Sequence, residues 1–334
     1  MRSQGLPNQA GRIRAIRNFN DFRDAVAAYR LPRILLTALD LDLFTVMGSR
    51  FWKVPALAKR LRVSRRGLEI LCRNLAGAGV LKKQGADYRN GALAGTTLNA
   101  HSPAYRGAYL DLLRGQWEDW SQLTNSVRRG RPVEHDDPDD PEYRRAFTWA
   151  MHHRSTDVAP QVAAQINLKG VKTLLDLGGG PGTYALAFLA RNPALRATVC
   201  DRPAALKVAR EIAAPLGHGR RLDYLPLDFM SRPIPGRYDV IWYSNVLHIY
   251  SPAQNKALFR RLTSALTPRG RLVIQDAFVH DRSGLYPEEA NLLAVTMLLF
   301  TEGGNTYGVG ETTDWLREAG FGKVRSITLR DGTG

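Results

Sequence analysis

Residues 174–183 read Leu174-Leu175-Asp176-Leu177-Gly178-Gly179-Gly180-Pro181-Gly182-Thr183. Val171-Lys172-Thr173 lead into this short apolar run, which has the character of a buried parallel strand. The run stops at three consecutive glycines, and Tyr184-Ala185-Leu186-Ala187-Phe188-Leu189-Ala190 then shows helical spacing. The order is strand, glycine turn, helix. Glycine lets the backbone turn tightly and come close to a ligand because no Cβ intervenes, and a helix start offers free amides to a polar group. A dinucleotide turn of the form G-x-G-x-x-G needs a third glycine at position 183, where this chain has Thr183. The pattern is instead Asp176-x-Gly178-x-Gly180-x-Gly182. It reads either as a ligand cradle or as a plain joint between strand and helix.

The alternation continues downstream. Ala197-Thr198-Val199-Cys200-Asp201 reads as a second strand ending in an acid. Asp201 lies 19 residues beyond Gly182, close to the ~20 at which a βαβ unit places the carboxylate that meets ribose hydroxyls. Residues 221–230 supply a third strand and its loop. Residues 238–248 supply a fourth, whose C-terminal end faces the ligand crevice of a doubly wound sheet. Residues 271–276 form a fifth after the Thr267-Pro268-Arg269-Gly270 turn, and residues 323–329 a further strand after the last helix.

The chain has 334 residues, enough for two domains with sizeable cores. No apolar run reaches the ~18 residues that span a bilayer. Residues 1–20 hold four arginines and no apolar segment, which excludes a secretory signal there. Cys72 and Cys200 lie far apart in apolar surroundings, as in a reduced, cytoplasmic protein. There is no C-x-x-C and no H-E-x-x-H, so no metal site is expected. Residues 1–100 hold 18 basic and 6 acidic residues against 29 and 25 in the remainder, so most of the +16 net charge sits in front. The basic residues are scattered, which fits a solubilising surface better than a nucleic-acid patch.

Residues 19–44 have a helical pattern, with Pro32 at a start or kink. Residues 54–61 read as a short helix and Arg62-Val63-Ser64 as a turn. Ser64 is a good N-cap for a helix over 65–78, and residues 79–83 with 87–89 make a hairpin. Helix, turn, helix, hairpin is a winged helix. Its second helix carries Arg65, Arg66 and Arg73, which keeps DNA binding open beside a protein–protein role. Residues 104–160 read as helices around a polar, proline-rich loop at 130–142. One of them, over 143–159, ends or kinks at Pro160 and carries Trp149, Met151, His152 and His153. The last two are adjacent and point to different faces, so they are not a ligand pair.

The glycine motif, the acids at 201 and 228, and the run Leu-Ala…Leu-x-Val-Ser…Leu-Cys-Arg-Asn-Leu-Ala…Gly-Val-Leu over residues 57–81 together resemble one family. It is the class I S-adenosylmethionine (SAM)-dependent O-methyltransferases of the plant caffeic-acid and bacterial natural-product type. The resemblance implies an α/β fold, a Rossmann-like doubly wound sheet behind an N-terminal α-helical winged-helix domain. It implies a dimerisation domain over 1–100, a helical linker lining the acceptor pocket over 101–165, and a SAM domain over 166–334. The family's final antiparallel strand is missing, so a C-terminal truncation is expected.

The resemblance also implies roles. Asp176 orients the amino group of SAM, while Gly178 and Gly180 lie along its methionine part. Asp201 holds the ribose, Asp228 accepts from the adenine amino group, and Phe229 lies beside the ring. Ser244 stands where plant members carry a lysine. His248, followed by Ile249-Tyr250 in place of the usual Asp-Trp, is the general base; the other reading is a structural hydrogen-bonder. An acid normally sits about three residues before the methionine of the next long helix, but Ala294 precedes Met297 at that distance, and Asn291 and Thr296 substitute only in part. Glu311, after the Gly303-Gly304 turn, is then the orienting acid or a helix cap, with Glu302 nearby. Trp149 and Met151 contact the acceptor or simply pack between elements.

Methyl transfer is a direct displacement on a sulfonium and needs positioning more than a covalent intermediate. The expected acceptor is a hydroxyl of a small aromatic or polycyclic molecule, with carbon or nitrogen acceptors as alternatives. The expected assembly is a homodimer through the N-terminal domain, without a membrane or nucleic-acid partner. A SAM-responsive winged-helix regulator is the rival from another class. The fourth-strand end lacks an Asn/Asp-Pro-Pro-Tyr run, and neither cysteine follows a proline, which argues against a nucleic-acid methyltransferase.

Overall fold

Apolar side chains spaced three and four apart fold the N-terminal third into short helices around a small core. The computed structural model describes residues 15–133, 140–217, 219–280, 284–327 and 329. The chain divides into two compact units, Met1–Arg114 and Gly115–Gly334.

In the first unit, the helical pattern over 19–44 becomes three helices, α1 (Phe19–Ala27), α2 (Arg30–Asp40) and α3 (Leu43–Met47). Asp42 stands before α3 with a left-handed φ of 51°, which no continuous right-handed helix can pass. There follow β1 (Trp52–Lys53), α4 (Val54–Leu61), α5 (Arg65–Gly77), β2 (Leu81–Gln84), β3 (Asp87–Asn90) and α6 (Ala92–Thr96). The Ser64 hydroxyl accepts from the Gly67 amide at 3.3 Å and starts α5 as an N-cap. The three short strands pair antiparallel in the order β1-β3-β2, the wing of a winged helix. Leu43, Phe44, Met47, Leu57, Leu68, Cys72, Leu75 and Tyr88 form the core. Buried Asn90 ties the wing to α3 by donating to the carbonyls of Phe44 and Gly48.

Helix α7 (Gly107–Ser121) runs through the division between the units, and α8 (Leu123–Arg129) follows. The polar 130–142 segment lies partly outside the described residues. Helix α9 (Pro141–Ser155) ends before Pro160, which begins α10 (Ala159–Gln165) in its first turn rather than ending α9, since a proline there gives up no helical hydrogen bond.

The second unit alternates β4 (Thr173–Leu177), α11 (Thr183–Arg191), β5 (Arg196–Asp201), α12 (Pro203–Ala213), β6 (Leu222–Pro226), β7 (Tyr238–Ser244), α13 (Pro252–Leu262) and β8 (Leu266–Gln275), then α14 (Glu288–Phe300) and α15 (Val309–Glu318). All five strands are parallel, in the order β6-β5-β4-β7-β8. Alternate side chains go to opposite faces. Leu174, Val240 and Trp242 pack with Phe188, Leu189, Leu206 and Val208 of α11 and α12. Leu175, Ile241 and Tyr243 pack with Leu258, Phe259 and Trp315 of α13 and α15. The strand order reverses between β4 and β7, and a ligand crevice opens outside the carboxyl ends there.

The strand expected over 323–329 does not form: its described residues pair with no neighbour, and Ile327 is exposed, because an extended segment without a hydrogen-bonded partner is not a strand. Cys72 and Cys200 are buried free thiols, and burial pushes them up to about 11 and about 12. Among the described residues no helix is long and apolar enough to cross a membrane, and no cluster of His, Cys, Asp and Glu could hold a metal ion.

Candidate active site

The crevice begins at the glycine turn. Gly178, Gly180 and Gly182 have φ of 69°, 49° and 70°, the left-handed region that side chains avoid. The Gly178 amide donates to the carbonyl of Cys200 at 2.8 Å, tying the turn to the end of β5. A Cβ on Gly178 would lie 2.8 Å from Val246 Cγ2 and 3.4 Å from Phe229 Cζ, so the turn abuts both the third-strand loop and the segment after β7. A Cβ on Gly179 would lie 2.6 Å from the Asp176 carboxyl carbon.

Asp176 is buried at the end of β4, where its Oδ2 accepts from the Ala185 amide at 3.2 Å. Burial pushes its carboxyl up to about 7; that amide works against the rise and neighbouring Asp201 adds to it. Asp201 Oδ2 accepts from the Gly180 amide at 2.8 Å and Oδ1 from the Arg202 amide at 2.7 Å. Burial also raises the Asp201 carboxyl, opposed by those two amides. Asp228 behaves differently. The Ser231 hydroxyl, donating at 2.7 Å, is the main cause that lowers it, and the Met230 amide donates to Oδ1 at 3.1 Å. Phe229 is buried and meets Tyr250 edge to face at 6.3 Å. Tyr250 is pushed up to about 12 by burial, with Asp201 and Asp228 contributing, which places its phenol near both acids. The structure thus brings Asp176, Gly178, Gly180, Asp201, Asp228 and Phe229 to one side of the crevice.

The end of β7 supplies the other side. The Ser244 hydroxyl bonds Gln275 Oε1 at 2.9 Å and accepts from Asn245 Nδ2 at 3.0 Å. The Tyr184 hydroxyl joins this polar group through Gln275, Ser244 and Asn245, while burial raises it. Ser244 is therefore held within a protein network where a lysine would reach out. Asn245 takes a left-handed φ of 55°, a conformation asparagine tolerates, and its amide donates to the Gln275 carbonyl at 2.8 Å.

That bend leads into one turn of 3₁₀ helix, Leu247–Ile249, carrying His248 at 7% exposure. Asn255, fully buried on α13, donates to the carbonyls of Leu247, Tyr250 and Ser251 at 3.0, 2.9 and 3.3 Å. The Asn305 amide donates to the His248 carbonyl at 2.9 Å, and Gly304 packs so closely that a Cβ would lie 2.4 Å from the same oxygen.

His248 Nδ1 lies 2.7 Å from Oδ1 of Asp276, the residue after β8. The sequence reading assigned Asp276 only to a strand end and sought the acid elsewhere. Glu311 accepts from the Gly308 amide at 3.5 Å and so closes the start of α15; the structure brings Asp276, not Glu311, to the imidazole. The available signal was the parallel pairing of Ser244 with Gln275, which sets the residues after both strands side by side.

On α9, Trp149 packs against the core beneath α12 and bonds Glu211 there. Met151 is half-buried on the same helix. His152 Nδ1 meets the Thr183 hydroxyl at 2.9 Å, joining α9 to the first residue of α11.

Comparison with known proteins identifies the family. An O-methyltransferase domain model matches residues 120–322, and an O-methyltransferase dimerisation domain model matches residues 24–100. The chain is 32% identical over 301 residues to a 3-hydroxy-5-methyl-1-naphthoate 3-O-methyltransferase of Streptomyces sahachiroi, covering 88% of this chain and 86% of that one. It is 30% identical over 324 residues to a tetracenomycin polyketide synthesis 8-O-methyl transferase of Streptomyces glaucescens, covering 94% of each. Human N-acetylserotonin methyltransferase in complex with SAM superposes with a TM-score of 0.82 at 22% identity, over 94% of this chain and 95% of that one. The chain belongs to the SAM-dependent O-methyltransferases that carry an N-terminal dimerisation domain.

Proposed function

We propose that this enzyme transfers the methyl group of SAM to a hydroxyl of a small aromatic or polycyclic molecule, with His248 as general base. The observation that carries the reading is the 2.7 Å contact of His248 Nδ1 with Asp276 Oδ1. An ionised carboxylate only accepts, so on this reading Nδ1 carries the proton and the lone pair of Nε2 is left to take another. When SAM is bound, it supplies an electrophilic methyl on a sulfonium. Asp176 would hold its ammonium, Asp201 the ribose diol, and Asp228 with Phe229 the adenine. Met151 lies along the acceptor. Nε2 takes the hydroxyl proton as the oxygen attacks, and the products are the methyl ether and S-adenosylhomocysteine. An aromatic acceptor fits the two bacterial relatives, whose names specify a naphthoate and a polyketide pathway.

The first unit serves pairing with a second copy. Between α2 and α5 lies a groove of about 640 Å³ whose lining is mainly apolar, with Ile34, Leu41, Val63, Ile70 and Leu71 beside Arg30 and Arg33. A mainly apolar lining suits a partner protein, in keeping with the dimerisation domain. The buried free thiols suit a cytoplasmic setting.

The test is methyl-labelled SAM with a panel of hydroxynaphthoates and hydroxylated polyketides. His248→Ala should lower kcat by ~10²–10⁴ while leaving SAM affinity intact. Turnover equal to that of the parent would remove the base from the mechanism.

A further inference from the structure

We propose that Arg261, on α13, is a positioning residue for the cofactor: it holds the loop after β6 in the place that gives the site its preference for adenine over other bases. This inference rests on the reading of Asp228 and Phe229 as the adenine residues.

The loop folds on itself through Asp228. Its carboxylate accepts from the Met230 amide and the Ser231 hydroxyl, and its carbonyl accepts from the Ser231 and Arg232 amides at 3.3 and 3.0 Å. These bonds stay within residues 228–232, so they shape the turn without deciding where it sits. The Leu227 amide, donating to the Asp201 carbonyl at 3.1 Å, ties the start of the loop to β5. The hold on the ring-bearing residue comes from α13, where Arg261 Nη2 donates to the Phe229 carbonyl at 3.0 Å. The Phe229 ring in turn meets Tyr250 edge to face at 6.3 Å and lies against Gly178. A backbone shift at 229 therefore moves the ring and carries the neighbouring Asp228 carboxylate with it.

The guanidinium has a second telling feature. Its Nε is buried and has no hydrogen-bond partner among the described residues. A buried N–H without an acceptor destabilises a fold, and an apolar chain of similar length would pack there without that cost. What the arginine offers instead is a rigid fork whose bond to the Phe229 carbonyl has a fixed direction. Helix α13 thus ties both the His248 turn, through Asn255, and the adenine loop, through Arg261.

The experiment compares full-length Arg261→Met, Arg261→Lys, Asp228→Asn and, as a control, Arg260→Met at the exposed neighbouring position. Calorimetry gives Kd for S-adenosylhomocysteine and for S-inosylhomocysteine, whose ring oxygen accepts where the adenine amino group donates and so meets Asp228 unfavourably. Arg261→Met should weaken S-adenosylhomocysteine roughly tenfold and S-inosylhomocysteine by less than about threefold, so the preference for adenine falls. Its thermal midpoint should move by less than about 3 °C, because the lost bond is offset by removal of the bare Nε. Amide hydrogen exchange should quicken over residues 227–232 and not over 178–182. Arg261→Lys should recover part of the preference, and Arg260→Met should match the parent. Should Arg261→Met fail to fold, Arg261→Lys is read by the same ratio, which should fall by a smaller factor. An unchanged ratio, or a loss shared equally by the two ligands, overturns the proposal. If Asp228→Asn loses the preference and Arg261→Met keeps it, the adenine reading stands and the role of Arg261 fails. If Asp228→Asn keeps the preference and Arg261→Met loses it, the assignment of Asp228 fails and the hold of Arg261 on the loop stands.

Discussion

If Asp176 receives the ligand's ammonium group as proposed, it must give up a proton to do so, and binding of S-adenosylhomocysteine should weaken about sixteenfold between pH 7 and pH 5.5. Burial raises this carboxyl from 3.8 to about 7, so at pH 7 about half of the free protein holds it protonated and at pH 5.5 nearly all does. The ionised fraction falls from roughly one half to roughly one thirty-third across that interval, and the apparent Kd rises by the ratio. The ligand's own amine stays protonated throughout, below its usual ~7.7–8.0.

The sign for stability follows the same carboxyl. A raised acid favours the folded form fully below 3.8 and loses that contribution as pH rises through about 7. The loss is on the order of 4 kcal/mol for the free protein, and bound ligand offsets it by pairing the charge. Calorimetry in two buffers of different ionisation heat should show about half a proton released per site at pH 7. Asp201, also raised by burial, adds in the same direction, so the difference between parent and Asp176→Asn isolates Asp176. An equal Kd at the two pH values, with no dependence on buffer heat, would refute the reasoning.

Gly179→Ala places a methyl 2.6 Å from the Asp176 carboxyl carbon, so the acid must shift; S-adenosylhomocysteine affinity should fall by roughly tenfold or more, read by calorimetry, with little change in the thermal midpoint. Asn255→Ala removes the one side chain that bonds the carbonyls of Leu247, Tyr250 and Ser251 together and leaves a cavity at a fully buried position; urea titration should show about 1–3 kcal/mol less stability, and kcat should drop more than ligand affinity.

The glycine turn, the order of five strands with their helices, and the three acids were legible because each depends on a local period or on a residue type few others can replace. Three glycines with positive φ and an acid at each strand end announce themselves along the chain. The partner of His248 was not legible, since Asp276 lies 28 residues away and meets it only through the register of β7 on β8. The breaks after α1 and α2 were hidden by an apolar stripe that runs through them, and Pro160 marks a helix start as readily as an end. Residues 323–327 have strand-like composition, but a strand exists only where a neighbour pairs with it.

The fastening of the Leu247–Ile249 turn has a consequence for how such an enzyme changes its diet. Its ties come from the side chain of Asn255, the amide of Asn305 and the carboxylate of Asp276, none of which belongs to α9. On the proposed reading, with α9 beside the acceptor and His248 as base, mutations accumulating along α9 would reshape what the enzyme accepts while the imidazole keeps its place, so a lineage could explore new molecules without first rebuilding its chemistry.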